Sequence, residues 1–126
     1  MQKALKLKGT KESPEISFDR EAGEFRMSGR SLPEDSFQFY QPVIEWMKQY
    51  INDPLPETVL VTHFEYFNSS SIKQLLILFK SLENLKEQGK EAKVIWQFEE
   101  DDDLMEIKGK EFKRMLSIPF ELVQLG

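Results

Sequence analysis

Three features of the sequence predict an α/β domain whose mixed sheet carries its helices mainly on one face. Short runs rich in β-branched and aromatic residues alternate with stretches of helical periodicity. The longest such run, Thr58 to Glu65, leads through the polar block Tyr66-Phe67-Asn68-Ser69-Ser70-Ser71 into a segment with Ile72, Leu75, Leu76, Phe79, Leu82 and Leu85 at helical spacing. The resulting order is β-hairpin, α, β, α, β, α, β, whose crossover connections place some strands parallel. The 126 residues suit one domain with a real core, and they contain no repeat or low-complexity linker.

The elements follow in order. Ala4 to Lys8 reads as a short edge strand whose lysines discourage edge pairing. Pro14 to Asp19 alternates, with Ile16 and Phe18 on one face, and Glu24 to Gly29 alternates again after the turn Arg20–Gly23. Leu32 to Ser36 is a loop able to cap the next helix, expected from about Phe37 to Ile51. Pro42 is awkward inside that helix, so regular helix either starts near Gln41 or bends there. At about 100° per residue, Phe37, Tyr40, Ile44, Met47 and Ile51 form one stripe, and Phe39, Val43, Trp46 and Tyr50 form a second beside it. Two roles stand open for the second stripe: ordinary core packing, or a partly exposed aromatic patch for docking or self-association.

Asn52 to Pro56 ends that helix and delivers the chain to the central strand. The following helix is expected from Ser70 to about Glu87, closed by Gly89. Lys93 to Phe98 is a further strand, and Leu104 to Leu116 a further helix with Leu104, Ile107, Phe112 and Leu116 as its apolar positions. Phe120 to Val123 closes the sheet.

Composition excludes several functions. With no cysteine, disulfides, thiolate metal sites and cysteine nucleophiles are absent, and a reducing cytoplasm fits. The N-terminal stretch lacks the continuous apolar core of a signal peptide, and no run approaches the roughly 18–20 apolar residues that span a bilayer. A formal net charge of −5 argues against nucleic acid and for a protein partner. The acidic run Glu99–Asp103 lacks the ligand spacing and glycine of a calcium loop and reads as a solvated helix start. His63, the only histidine, has no neighbours that make a Ser-His-Asp arrangement. No cofactor, metal or catalytic site is expected.

The serine cluster is what remains. Asn68, Ser69, Ser70 and Ser71 are helix-capping types, and three consecutive hydroxyls exceed what one cap needs. A surplus hydroxyl at a helix N-terminus sits where backbone N–H groups and the dipole favour an anion. Phosphorylation there adds about −1.5 to −2 charge, which the fold tolerates and a partner built for a neutral hydroxyl does not. A serine-dependent hydrolase using Ser69, with His63 or a carboxylate as base, is the enzymatic rival.

The segment Asn68-Ser69-Ser70-Ser71-Ile72-Lys73 resembles the phosphorylation loop of the SiaC family of bacterial regulatory phosphoproteins, STAS-like relatives of the anti-sigma factor antagonists. The resemblance extends to Leu32-Pro33-Glu34-Asp35-Ser36, Val43-Ile44-Glu45-Trp46 and Ser117-Ile118-Pro119-Phe120, and so covers nearly the whole chain. It implies that a dedicated protein kinase phosphorylates Ser69, with Ser70 the second choice, and that a PP2C-type phosphatase reverses this. It further implies that the unphosphorylated form binds and activates a diguanylate cyclase, raising cyclic di-GMP and favouring biofilm growth. In this scheme Asn68 shapes the turn, Ser70 and Ser71 cap or are recognised, and Lys73 pairs with the phosphate. Two departures stand out: a threonine replaces Ser69 in the family, and anti-sigma factor antagonists carry aspartate and glycine in place of Asn68 and Ser71. An antagonist-type transcription regulator is the alternative within the resemblance.

Overall fold

A computed structural model describes residues 2–126. The elements are β1 (Leu5–Leu7), β2 (Glu15–Asp19), β3 (Glu24–Ser31), α1 (Ser36–Tyr50), β4 (Glu57–Phe67), α2 (Ser69–Ser81), α3 (Glu83–Glu87), β5 (Glu91–Glu99), α4 (Asp103–Met115) and β6 (Phe120–Leu125). The strands form one six-stranded sheet in sequential order, antiparallel from β1 to β3 and parallel from β3 to β6. Every parallel step is a crossover through helix, as the order of the elements requires.

One face of the sheet is buried and the other is not. Leu60 and Phe64 of β4, and Val94, Trp96 and Phe98 of β5, point into the core, while Val61, His63, Ile95 and Gln97 between them are half-exposed. All four helices add buried side chains to that single core. The strict alternation breaks near the end of β4. The β3–β4 register pairs Gly29 with Phe64 but Arg30 with Tyr66, so Glu65 is the extra residue of a bulge. Gly29 adopts φ +106°, a conformation side chains resist. The bulge turns Phe67 rather than Tyr66 into the core, beside Ser31, and so sets the direction in which the chain leaves the sheet for α2.

Three expectations change and one open alternative is decided. Helix α1 runs unbroken from Ser36 through Pro42, because Asp35 caps it by accepting from the Gln38 N–H at 3.0 Å. Pro42 and Gln38 are both exposed, so the carbonyl that loses its helical donor has water for a partner. The expected helix Ser70–Glu87 is two, α2 and α3, separated at Leu82. Ser81 turns its hydroxyl back onto the Leu78 carbonyl, and tighter i→i−3 bonds flank the break. Gly89, at φ +81°, does close the pair.

On α4 the expected apolar positions Leu104 and Ile107 are 47% and 53% exposed. Phe112 is buried as expected and Leu116 packs against the core, but Met105 and Gly109 complete the buried face in place of Leu104 and Ile107. Gly109 lets the helix lie against Trp96, whose ring atoms would stand 2.5 Å from an added Cβ. The open alternative concerns the second α1 stripe. Val43, Trp46 and Tyr50 are buried, and Phe39 is half-buried against the core, so these four do not form a docking patch. Trp46 and Tyr50 stack at 5.4 Å and meet Phe18 and Phe25, and the Trp46 indole donates to the Lys3 carbonyl at 2.7 Å. On the other stripe Tyr40, Ile44 and Met47 are buried as well, and Phe37 alone, at 65%, is largely exposed.

Candidate functional site at the paired helix starts

The N-termini of α1 and α2 meet above the ends of β3 and β4. Asn68, in extended conformation, caps α2: its side-chain oxygen accepts from the Ser71 N–H at 3.0 Å. The same oxygen receives the Ser71 hydroxyl at 2.8 Å and the Ser70 hydroxyl at 3.0 Å. The Asn68 N–H donates to the Ser31 carbonyl at 3.0 Å, which ties the cap to the last residue of β3.

The three serines have three different surroundings. Ser71 is fully buried, 2.9 Å from the Ser31 hydroxyl and 3.1 Å from the Ser31 carbonyl. Ser31 in turn lies 2.6 Å from the Tyr40 hydroxyl. Burial pushes the Tyr40 phenol well above its ordinary value, so it remains a neutral donor at the end of this chain. Among the described residues no buried side-chain polar atom lacks a partner, so the network is closed. Ser70 is exposed as a residue, but its hydroxyl lies 2.7 Å from that of Ser36 in the first turn of α1. Ser69 is exposed, and the hydrogen bonds of the turn pass it by.

Glu34, Asp35, Phe37, Ser69, Ser70 and Lys73 line an open hollow of about 1040 Å³ between the two helix starts. Lys73 is exposed one helical turn beyond Ser69, on the same face of α2. No acidic residue occupies the first turn of α2, so within the helix its positive end has no carboxylate partner; the acids of the hollow, Glu34 and Asp35, lie on the α1 side, where Asp35 is engaged as the α1 cap. The sequence grouped Asn68, Ser69, Ser70, Ser71 and Lys73, and the structure brings them together. Ser31, Ser36, Tyr40 and Phe37 were not among the expected site residues; the first three bring hydroxyls that join the cluster only through the tertiary approach of β3 and α1.

The other polar features have structural partners. His63 faces the open side of the sheet and pairs with Glu99 at 2.8 Å; no hydrogen bond joins it to the serine turn. Asp102 caps α4 by accepting from Met105 at 3.1 Å. Among the described residues no group of three or more His, Asp or Glu is placed to hold a metal, and no helix is long and apolar enough to cross a membrane.

The fold recurs in solved structures. SiaC of Pseudomonas aeruginosa superposes with a TM-score of 0.89 at 28% identity, covering 98% of this chain and 99% of that one. SiaC in the crystal structure of the diguanylate cyclase SiaD bound to its activator SiaC, from the same organism, gives 0.90 at 28% identity over 96% and 99%. A protein of P. aeruginosa strain UCBPP-PA14 is 29% identical over 118 residues, 94% of each chain. Residues 7–125 match the profile of the SiaC family regulatory phosphoproteins. The chain belongs to the SiaC family of regulatory phosphoproteins.

Proposed function

We propose that this chain is a phosphorylation-gated activator of a diguanylate cyclase, with no catalysis of its own, acting in the cytoplasm where nucleoside triphosphates are supplied. Ser69 is the phosphoacceptor. A dedicated kinase modifies it, a PP2C-type phosphatase restores it, and the unmodified form binds the cyclase. The observation that carries this reading is the contrast at the α2 start: one exposed hydroxyl left out of a closed network, at a helix end with no carboxylate in its first turn.

The mechanism is electrostatic. A phosphate on Ser69 adds about −1.5 to −2 charge where free backbone N–H groups and Lys73 favour it, so the fold survives. A partner surface that buries the neutral hydroxyl meets an anion it cannot desolvate. Phe37, the most exposed of the large apolar side chains lining the hollow, supplies the contact area beside the switch.

The test pairs Ser69→Ala with Ser69→Glu and measures binding to the SiaD-type cyclase of the same genome by calorimetry. Ser69→Ala should bind as the unmodified chain does and resist the kinase. Ser69→Glu should melt at or above the wild-type temperature yet bind at least tenfold more weakly. Full affinity of Ser69→Glu would reject charge as the basis of the switch.

A further inference from the structure

Three adjacent serines confront the kinase, and their hydroxyls differ in what already holds them. Ser71 is buried and out of reach. Ser70 and Ser69 are both exposed, so exposure alone does not separate them. Hydrogen bonding does. The Ser70 oxygen lies 2.7 Å from the Ser36 oxygen and 3.0 Å from the Asn68 side-chain oxygen. Asn68 offers only an acceptor there, so Ser70 donates its proton to Asn68 and accepts from Ser36. Both its proton and a lone pair are turned inward, toward the junction of α1 and α2.

We infer that Ser36, 34 residues before Ser70 in the chain, is a positioning residue that confines phosphorylation to Ser69. The inference rests on the Ser69 reading above and concerns which hydroxyl of the turn can react. In the transfer, a serine oxygen attacks the γ-phosphorus of a nucleoside triphosphate. The new O–P bond forms as the bond to the leaving diphosphate's oxygen breaks, and the hydroxyl proton passes to the kinase's base. The attacking oxygen therefore needs a lone pair facing outward and a proton free to leave outward. Ser69 meets both needs as it stands. Ser70 must first break its bonds to Ser36 and Asn68, and two bonds of ordinary strength reduce the free rotamer roughly ten- to a hundredfold. A phosphate on Ser70 in its resting rotamer would also occupy the space in which Ser36 sits, itself 5% exposed in the first turn of α1.

Ser36 touches neither nucleotide nor phosphate in this scheme; its effect appears in the site of modification rather than in stability. The experiment expresses the chain in its own host, purifies it and maps the phosphate by peptide mass spectrometry. Wild type and Ser36→Thr, which keeps the hydroxyl, should carry phosphate on Ser69 with less than about a tenth on Ser70. Ser36→Ala leaves the Asn68 bond in place and should raise the Ser70 share roughly three- to tenfold. A Ser36→Ala chain modified on Ser69 alone would overturn the inference while leaving the Ser69 reading intact. Should Ser36→Ala fold poorly, Ser69→Ala decides independently: its total phosphate should fall at least tenfold, and modification of Ser70 to the extent that Ser69 carries in wild type would overturn the inference. Wild-type protein without phosphate on this turn would instead remove the Ser69 reading itself, and the inference with it.

Discussion

Helices α2 and α4 begin alike and are finished differently. Each follows a parallel strand of the same sheet, and each is capped by a side-chain oxygen that accepts the N–H three residues on, from Asn68 and Asp102 respectively. Beyond the cap they part. The first turn of α4 holds Asp103 and Glu106, so carboxylates satisfy its positive end permanently. The first turn of α2 holds Ser69, Ser70 and Ser71 and no acid. The same dipole is thus committed at one helix and left open at the other. An uncommitted helix end is where a charge that comes and goes can act as a signal, because neither state strains the fold.

Four substitutions and a pH series break or sharpen this contrast. The largest effect belongs to the anchoring of α4. Gly109→Ala gains about 1 kcal/mol of helix propensity but places a Cβ 2.5 Å from Trp96, a clash severe enough to put the overpacking cost at or above about 3 kcal/mol and leave a net loss of about 2 kcal/mol or more. Trp96 cannot swing aside, since its indole donates to the Met105 carbonyl at 2.9 Å within the core. Denaturant unfolding should show a net loss of stability; a midpoint at or above wild type would mean that α4 shifts freely and is not fixed as described.

The caps come next. Asp102→Ala should cost about 1 kcal/mol, as for an ordinary cap. Asn68→Ala should cost about 2 kcal/mol, because its oxygen also receives the Ser70 and Ser71 hydroxyls and the second of these is buried. Equal losses in thermal melts would show that the serine network contributes nothing beyond the cap. A smaller effect tests the open helix end directly. Ser69→Asp should stabilise by about 0.3–1 kcal/mol at low ionic strength, with the gain fading as salt is added. A Tm lowered by this substitution would contradict the open dipole of α2.

The smallest effect lies where α3 meets the loop before β6. The Ser117 N–H, at 2.7 Å, holds the Glu83 carboxyl below its ordinary value of 4.5, aided by the Ser117 hydroxyl at 2.8 Å. A depressed carboxyl contributes stability that is complete above its unfolded value and disappears as pH falls through the folded one. Melts between pH 6 and pH 3 should therefore lose slightly less stability in Glu83→Gln than in wild type. Identical pH curves would show that this link is immaterial.

Some of this was legible in the residues and some was not. The polar block after Glu65, the periodicity of Leu75, Phe79, Leu82 and Leu85, and the alternation in β2 and β3 identified the elements, because strand and helix periods are local properties. Periodicity does not say whether one stripe of a doubly apolar helix is covered or both, as on α1. On α1 both stripes were aromatic. The outcome depended on residues 2–3, which cover Trp46 through the Lys3 carbonyl and the Gln2 side chain, far away in the chain. On α4 the decisive residue was Gly109, which carries no hydrophobic signal yet marks the closest approach to Trp96.

The sequence by itself determined the order of strands and helices apart from the division of α2 from α3, the acid-free start of α2 and the presence of more hydroxyls than a cap requires, since each of these is written in residues next to one another. Only the tertiary structure decided that these hydroxyls are unequal. The bulge at Glu65, the end of β3 and the first turn of α1 converge on the serine turn from segments up to 40 residues away. That convergence buries Ser71, engages Ser70 and leaves Ser69 open to solvent, because a hydroxyl's availability depends on which neighbours reach it.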